Sequence, residues 1–361
     1  MNWLFKLRGE IPSNWKLPLS LIGLGIIIAI WILLTAGESP ITPSKILPKP
    51  GDVLGAFGNL YSENDLVKNM FRSLGLNLAG YVKAILWTIP IGFLIGLFPV
   101  IRGMFQKPLD AIRFVPIAAA LGLFIGWFGI GADMKVNFLA FGIFIFLTPI
   151  VVQRIFEVKD VYLKTVYTIG ATDWQTIRTV YIPSVFSKLI DDIRILTAIS
   201  WTYIVVIETI NSEQGGLGAL TYMMRRTSQP DKMYAAFLLI ILIGIIQDRI
   251  FVRLDNELFP HKFQLKNHNK HGQIKAPSIV ETIADFAFTA FTWTILGIYV
   301  LVALNEFTGM LSDIKILDYL FGDTCWAFHV LMISILFYKG YQFMMKRKSK
   351  LSSPPKEVQN V

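Results

Sequence analysis

Eight stretches of the chain are apolar almost throughout, near residues 18–36, 76–100, 111–130, 136–153, 195–211, 234–252, 280–304 and 324–343. A helix rises about 1.5 Å per residue, so about twenty residues cross a hydrocarbon core about 30 Å thick. The apolar positions run on without alternating, which argues against the two-residue period of a membrane β-barrel. Lipid offers the backbone no hydrogen-bond partner, so each crossing segment must close its own bonds as a helix. The pattern predicts an all-α membrane protein of about eight spans.

The polar stretches divide this bundle. Residues 1–17 form a short N-terminus, and Gly37–Arg72, with Pro40, Pro43, Pro48, Pro50 and Gly51, reads as an extended outer loop. A long loop at 154–194 interrupts the six-span unit 18–253. Residues 254–277 are polar and basic, rich in Asn and His, and read as a linker to a two-span extension, 278–345, with a basic tail at 346–361. No internal repeat is evident.

Composition agrees: 54% of residues are hydrophobic and 16% charged, against about 25% charged in a soluble domain. The net charge of +9 could suggest nucleic acid, but its distribution points elsewhere. With the N-terminus inside, 24 of the 34 lysines and arginines fall in cytoplasmic segments and 9 outside, Lys83 lying within a span. That is the positive-inside asymmetry of an N-in, C-in membrane protein, and no nucleic-acid partner is expected. Lys6, Arg8 and Lys16 precede an apolar run from Pro18 to Thr35 that is longer than a signal peptide's ~7–15 residues. It reads as a retained first span in contact with lipid. Cys325 stands alone in an apolar segment, so no internal disulfide forms.

The loop from Gln153 to Arg194 is too long for a simple connection. Ile169, Trp174, Ile177 and Val180 recur at helical spacing among Asp173, Gln175 and Arg178, and Pro183 is expected to end the helix. The spacing predicts a short surface helix with one apolar stripe and no obvious cover within its own chain. Such a stripe meets a partner or the membrane interface. Lys188, beyond Pro183, is expected to be a bystander.

Gly170, nine residues, then Val180-Tyr181-Ile182-Pro183 resembles the "EAA" loop of ABC importer permeases, and Gly170-Ala171-Thr172-Asp173-Trp174-Gln175 looks most like the nitrate/taurine/sulfonate/bicarbonate branch. Leu47-Pro48-Lys49-Pro50, Trp127-Phe128-Gly129-Ile130-Gly131, Arg194, Trp201, Glu208, Gly216-Leu217-Gly218 and Asp248-Arg249 follow in the family's order. The resemblance covers roughly residues 18–260 and leaves out the last two spans, which are expected to be dispensable for coupling. Lys164-Thr165-Val166 stands where the motif has Glu-Ala-Ala, and Asp192 where relatives often have Gly.

The resemblance implies a type I ABC importer-like six-span bundle with two added C-terminal transmembrane helices, a multi-pass protein of the bacterial inner membrane. It implies that Gly170, Ala171, Asp173, Trp174, Ile177, Val180, Ile182 and Pro183 seat in a groove of a separate ATPase subunit. A second permease subunit, identical or related, and an extracytoplasmic solute-binding protein complete the implied partners. No Gly-x4-Gly-Lys-Ser/Thr loop occurs, so ATP and Mg are expected on the ATPase and no cofactor on this chain. The solute is expected to be small, anionic or polar. The readings from other classes are an ion-coupled secondary transporter, which needs ionisable groups at the midplane, and a membrane scaffold built on the last two spans.

Glu208 lies about 21 Å along the helix from Arg194, near its outer end. An ionisable group there is a pathway or gating candidate, with Trp201, Gly216 and Gly218, or else a snorkelling group or helix cap. Lys83 is read first as a snorkelling amine. Pro90, Gly92, Gly96, Pro116, Gly122, Gly126 and Pro149 allow close helix packing or a lined path. His261, His268 and His271 sit in the basic linker and are not read as a metal site; none is expected.

Overall fold

The computed structural model describes residues 9, 11–37, 40–260, 262, 279–309 and 315–352. All regular structure among these is helical: α1 Ser13–Thr35, α2 Pro50–Glu63, α3 Leu66–Leu97, α4 Pro99–Ile112, α5 Ile117–Phe128, α6 Ala132–Phe156, α7 Asp160–Thr168, α8 Asp173–Thr176, α9 Ile182–Glu208, α10 Leu217–Arg226 and α11 Pro230–Leu258, then α12 Ile279–Thr308, α13 Ile316–Phe321 and α14 Cys325–Ser352. His261, His268 and His271 lie outside the described residues.

Six segments are long and apolar enough to cross a membrane alone, namely Leu17–Thr35 of α1, α3, α6, α11, Phe288–Thr308 of α12 and Ile316–Gln342 across α13 and α14; the α4–α5 pair makes a seventh. That pair is bent by 105°, the geometry of a broken span or a re-entrant loop, in place of the single span expected at 111–130. Pro116, extended at φ −63° and ψ 112°, starts α5 and forbids a helical approach from the preceding residue. The eighth apolar run is the outer half of α9, whose inner half carries Lys188, Asp191, Asp192 and Arg194.

The outer loop is corrected too. Pro50 begins α2 rather than breaking a helix, because a first-turn proline loses no intrahelical bond. The irregular stretch before it is pinned on both sides. Trp31 Nε1 donates to the Pro48 carbonyl at 2.9 Å, and Tyr234 Oη to the Ile46 carbonyl at 3.0 Å.

The core sits where α3, α6 and α9 meet, with α3 against α6 the most extensive contact. A β-carbon at Gly80, Gly92 or Gly96 would come within 2.5, 2.6 or 2.5 Å of Leu139, Val151 or Ile155. These glycines let the two helices approach, as small residues do in membrane interfaces. Gly122 and Gly126 face open space instead. The most apolar stretch of α1 has no buried residue, and the helix meets the rest of the chain near its end, where Thr35 is buried and Trp31 packs against the core.

The C-terminal hairpin has its own small core of Leu296, Tyr299, Leu317, Phe321, Cys325 and Met332, with Phe71 of α3 packed against it. The expected linker at 254–277 is shortened, since α11 continues through Leu258 with Asp255 buried.

Candidate coupling loop and outer latch

At the inner end of the bundle the loop is a helix–turn–helix, not the single helix the spacing predicts. Just beyond α7 and its C-cap Ile169 comes Gly170, whose φ of +82° is left-handed. The Gly170 and Ala171 amides donate to the carbonyls of Tyr167 (3.0 Å) and Val166 (3.0 Å), the paired bonds of a Schellman ending. Nothing lies within 4 Å of a β-carbon at Gly170, so within this chain glycine serves the left-handed backbone.

The next helix starts on a capping box. The Thr172 amide donates to Gln175 Oε1 at 2.8 Å, and the Gln175 amide returns to Thr172 Oγ1 at 3.3 Å. Tyr167 Oη donates to Asp173 Oδ1 at 3.0 Å and ties the two helices together.

Pro183 does not stop the chain. Residues Ile177–Tyr181 widen into a π-turn, the Ile182 amide reaching back to the Ile177 carbonyl, and α9 runs on through the proline. The wider turn accommodates a ring that would otherwise press on the preceding turn of an α-helix.

The expected apolar stripe therefore splits. Trp174 is 69% exposed and Ile169 79%. Ile182, Pro183 and Asp173 are also exposed, Ala171 and Ile177 half-buried. Val180 instead belongs to the chain's own core, which corrects its reading as an anchor for a partner.

Ion pairs close the base of the loop. Arg154, in the last turn of α6, grips Asp192 of α9 through two bonds of 2.7 and 2.8 Å and reaches Glu157 at 2.7 Å. Lys188 meets the same Glu157 oxygen at 2.8 Å, so it is no bystander. Lys188 and then Arg154 hold the Glu157 carboxyl down to about 2. Asp192, a departure from the family's glycine, thus has a partner. Two other motif residues find each other: Arg194 Nε donates to Asp248 Oδ1 at 2.7 Å, joining α9 to α11.

Glu208, at the outer end of α9, is 2% exposed. Ser73 Oγ donates to its Oε1 at 2.6 Å and the Gly218 amide to its Oε2 at 2.7 Å. Ser73 also accepts from the Leu217 amide at 2.8 Å, and Asn69 Oδ1 from the Gly216 amide at 2.8 Å. The carboxylate and its two α3 neighbours thus satisfy the free amides that open α10, where the helix dipole favours negative charge. Gly216 has a φ of +113°, and a β-carbon there would collide with the Glu208 carboxylate.

Of the four gating candidates, Glu208, Gly216 and Gly218 come together as this latch, and Glu208 is neither snorkelling nor exposed. Trp201 lies apart, buried, with Nε1 donating to Gln247 Oε1 at 3.0 Å. A cavity of about 300 Å³ lies beside the latch, lined by Arg72, Lys135, Glu208 and Gly215 and by Phe321–Thr324 of the hairpin. Lys83 lines a separate, mostly aromatic groove with Trp87, Phe124 and Trp127.

The sequence reading missed Asn69, Ser73 and Arg154. Asn69, Ser73 and Asn77 recur every fourth residue along α3, a polar stripe on one face that signals a buried partner.

The fold is that of a helical membrane protein with a structured loop between two long spans. Residues 88–259 match the family described as binding-protein-dependent transport system inner membrane component. The chain is 26% identical over 242 residues to a probable ABC transporter permease protein of Brucella melitensis, covering 67% of this chain and 96% of that protein. It is 24% identical over 260 residues to the taurine transport system permease protein TauC of Escherichia coli, 71% and 94% covered. It is 27% identical over 232 residues to the putative aliphatic sulfonates transport permease protein SsuC of Bacillus subtilis, 63% and 82% covered. Residues 88–259 carry this family's domain, and the chain is similar to inner-membrane permease subunits of ABC importers. The family match ends where the expected resemblance ends, before the C-terminal hairpin.

Proposed function

We propose that the loop from Glu157 to Pro183 is the seat of an ATP-hydrolysing subunit, through which this permease is driven in alternating access. ATP and Mg would be handled entirely by that subunit. A second permease, identical or related, and an extracytoplasmic solute-binding protein complete the assembly. The solute is small and anionic or polar; relatives are named for taurine and aliphatic sulfonates.

The observation that carries this reading is Trp174, 69% exposed, on a loop whose backbone is otherwise fixed at every joint. A large aromatic held rigidly in the open is the anchor type that dominates interfaces, and truncating one typically costs ~2 kcal/mol or more. Because α8 passes through the π-turn into α9 without a break, a push on Trp174 is delivered to a membrane span.

The test is copurification of the ATPase with Trp174→Ala, Gly170→Val and Thr179→Ala permeases, normalised to inserted protein. Trp174→Ala and Gly170→Val are expected to lose the ATPase or its coupled hydrolysis while staying inserted and monodisperse. Thr179→Ala, exposed and bonded only to its own helix at Gln175, is expected to match wild type. Full association by both of the first two variants refutes the loop's role.

A further inference from the structure

The C-terminal hairpin lies beyond the family match, yet it is fastened to both ends of the matched bundle. At the outer end the fastening is on α3. Lys68 Nζ sits 4.3 Å above the Tyr319 ring. Phe71 meets Phe321 edge-on with centroids 5.3 Å apart. Gly75 leaves the space that Thr324 and Phe321 fill, since a β-carbon there would be 2.9 Å from Phe321 Cδ1 and closer still to Thr324 Oγ1.

Positions 68, 71 and 75 share one face of the helix. Positions 69 and 73, on the adjoining face, hold the Gly216 and Leu217 amides and Glu208, and Arg72 donates to the Gln214 carbonyl. One stretch of α3 therefore carries the hairpin on one side and the outer latch on the other. The Phe321–Thr324 turn also walls the cavity beside the latch.

At the inner end, Lys339 of α14 is ion-paired with Glu257 of α11, and Tyr338 Oη donates to the Glu257 carbonyl at 3.4 Å. Arg253 of α11 lies 4.4 Å over the Phe288 ring of α12. α11 is in turn bound to α9 by Arg194–Asp248 and Trp201–Gln247. α14, 28 residues long, thus links the outer latch to the inner end of the span pair that continues the coupling loop.

We propose that the hairpin is a positioning element of the transport cycle, with Gly75, Phe321 and Thr324 as its positioning residues. It holds the outer turn of α3 so that the Gly215–Gly218 loop moves with the inner ends of α9 and α11 rather than independently of them. This stands against the expectation that the two added spans are dispensable. It rests on the chain being a permease driven by an ATPase, and not on which loop seats that ATPase.

The experiment uses the full-length permease co-expressed with its ATPase, with Cys325→Ser removing the one native thiol and Glu213→Cys reporting on the exposed outer loop. The rate of labelling by an impermeant maleimide is measured with and without MgATP and vanadate. The parent is expected to show a nucleotide-dependent rate. Gly75→Ala, which crowds Thr324 Oγ1, is expected to lose that dependence while the ATPase still copurifies. Adding Thr324→Ala removes the closest contact, leaving Thr324 Cβ at 3.4 Å and the Phe321 ring edge at 2.9 Å from the new methyl; the ring has only to tilt slightly, so the dependence is expected to return in part. Phe321→Ala, which cannot clash, is expected to lose the dependence by removing the ring contact. Four results overturn the proposal: a parent loop that ignores nucleotide, an unchanged response in Gly75→Ala, no recovery in the double variant, or a wild-type response in Phe321→Ala. Loss of ATPase copurification in wild type itself would instead count against the driven-permease reading.

Discussion

Replacing Gly216 with alanine tests the outer latch. At φ +113° a side chain is strained whatever the space, and a non-glycine residue held in such a region costs about 1–3 kcal/mol. The added methyl would also fall on the Glu208 carboxylate, with Oε2 only 2.6 Å away. Something must move, and the backbone of Gly216 is held by Asn69. Displacing the carboxylate gives up its bonds from Ser73 and Gly218, and hydrogen bonds to a charged group are worth roughly 1.5–3 kcal/mol each. Strain and one lost bond already sum to about 4 kcal/mol. At roughly 2 °C per kcal/mol for a protein of this size, the melting point falls by about 8 °C. The assay is thermal unfolding of the purified permease with a thiol-reactive dye, because the single cysteine, Cys325, is buried and reacts only on unfolding. Glu208→Gln keeps the shape and one acceptor, so it is expected to lose less than half as much. A Gly216→Ala permease that melts within about 1 °C of wild type would refute the claim that glycine is required by the latch.

Two further outcomes follow from the inner face. Glu157 is held down to about 2 by Lys188 and Arg154, so its contribution to stability is present above the unfolded carboxylate range and is lost as pH falls towards 2. The melting-point difference between wild type and Glu157→Gln is therefore expected to stay constant from pH 6 to 9 and to shrink below about pH 4.5; a difference that grows on acidification contradicts the ion pairs. Orientation is checked in intact cells lacking the native thiol. An impermeant reagent is expected to label Ser62→Cys and Ser228→Cys but not Thr172→Cys, and labelling of Thr172→Cys from outside overturns the N-in assignment that rests on lysine and arginine placement.

Much of the fold was legible because lipid constrains the chain more tightly than water does. Any run of about twenty apolar residues has essentially one backbone solution there, so α1, α3, α6, α11, α12 and α14 each coincide with an apolar run. The places where the reading slipped are those where one residue admits two local outcomes. A proline ends a helix at Pro183 only if the turn before it is α-helical; a π-turn at Ile177–Tyr181 removes the conflict. Pro50 looks like a breaker until its position in the first turn is known. Neither choice is visible in the proline itself.

The site residues divide on a different line. Gly170 and Gly216 were legible because a positive φ leaves glycine as the easy choice, so a motif glycine carries its reason with it. Glu208 was legible as an ionisable group near the outer end of its span, with a cap among its readings, but not as a latch, since its partner Ser73, and Asn69 on the neighbouring Gly216 amide, lie more than a hundred residues earlier. Asp192 shows the same limit. Read along the chain it is a departure from the family's glycine; read across the bundle it is the bidentate partner of Arg154. A residue that differs from its relatives is thus not idle, because its compensation is spatial. The same holds for the hairpin: outside the family's boundary in sequence, it is bound to α3 and α11 in space, and Gly75 is the residue whose missing side chain makes room for it.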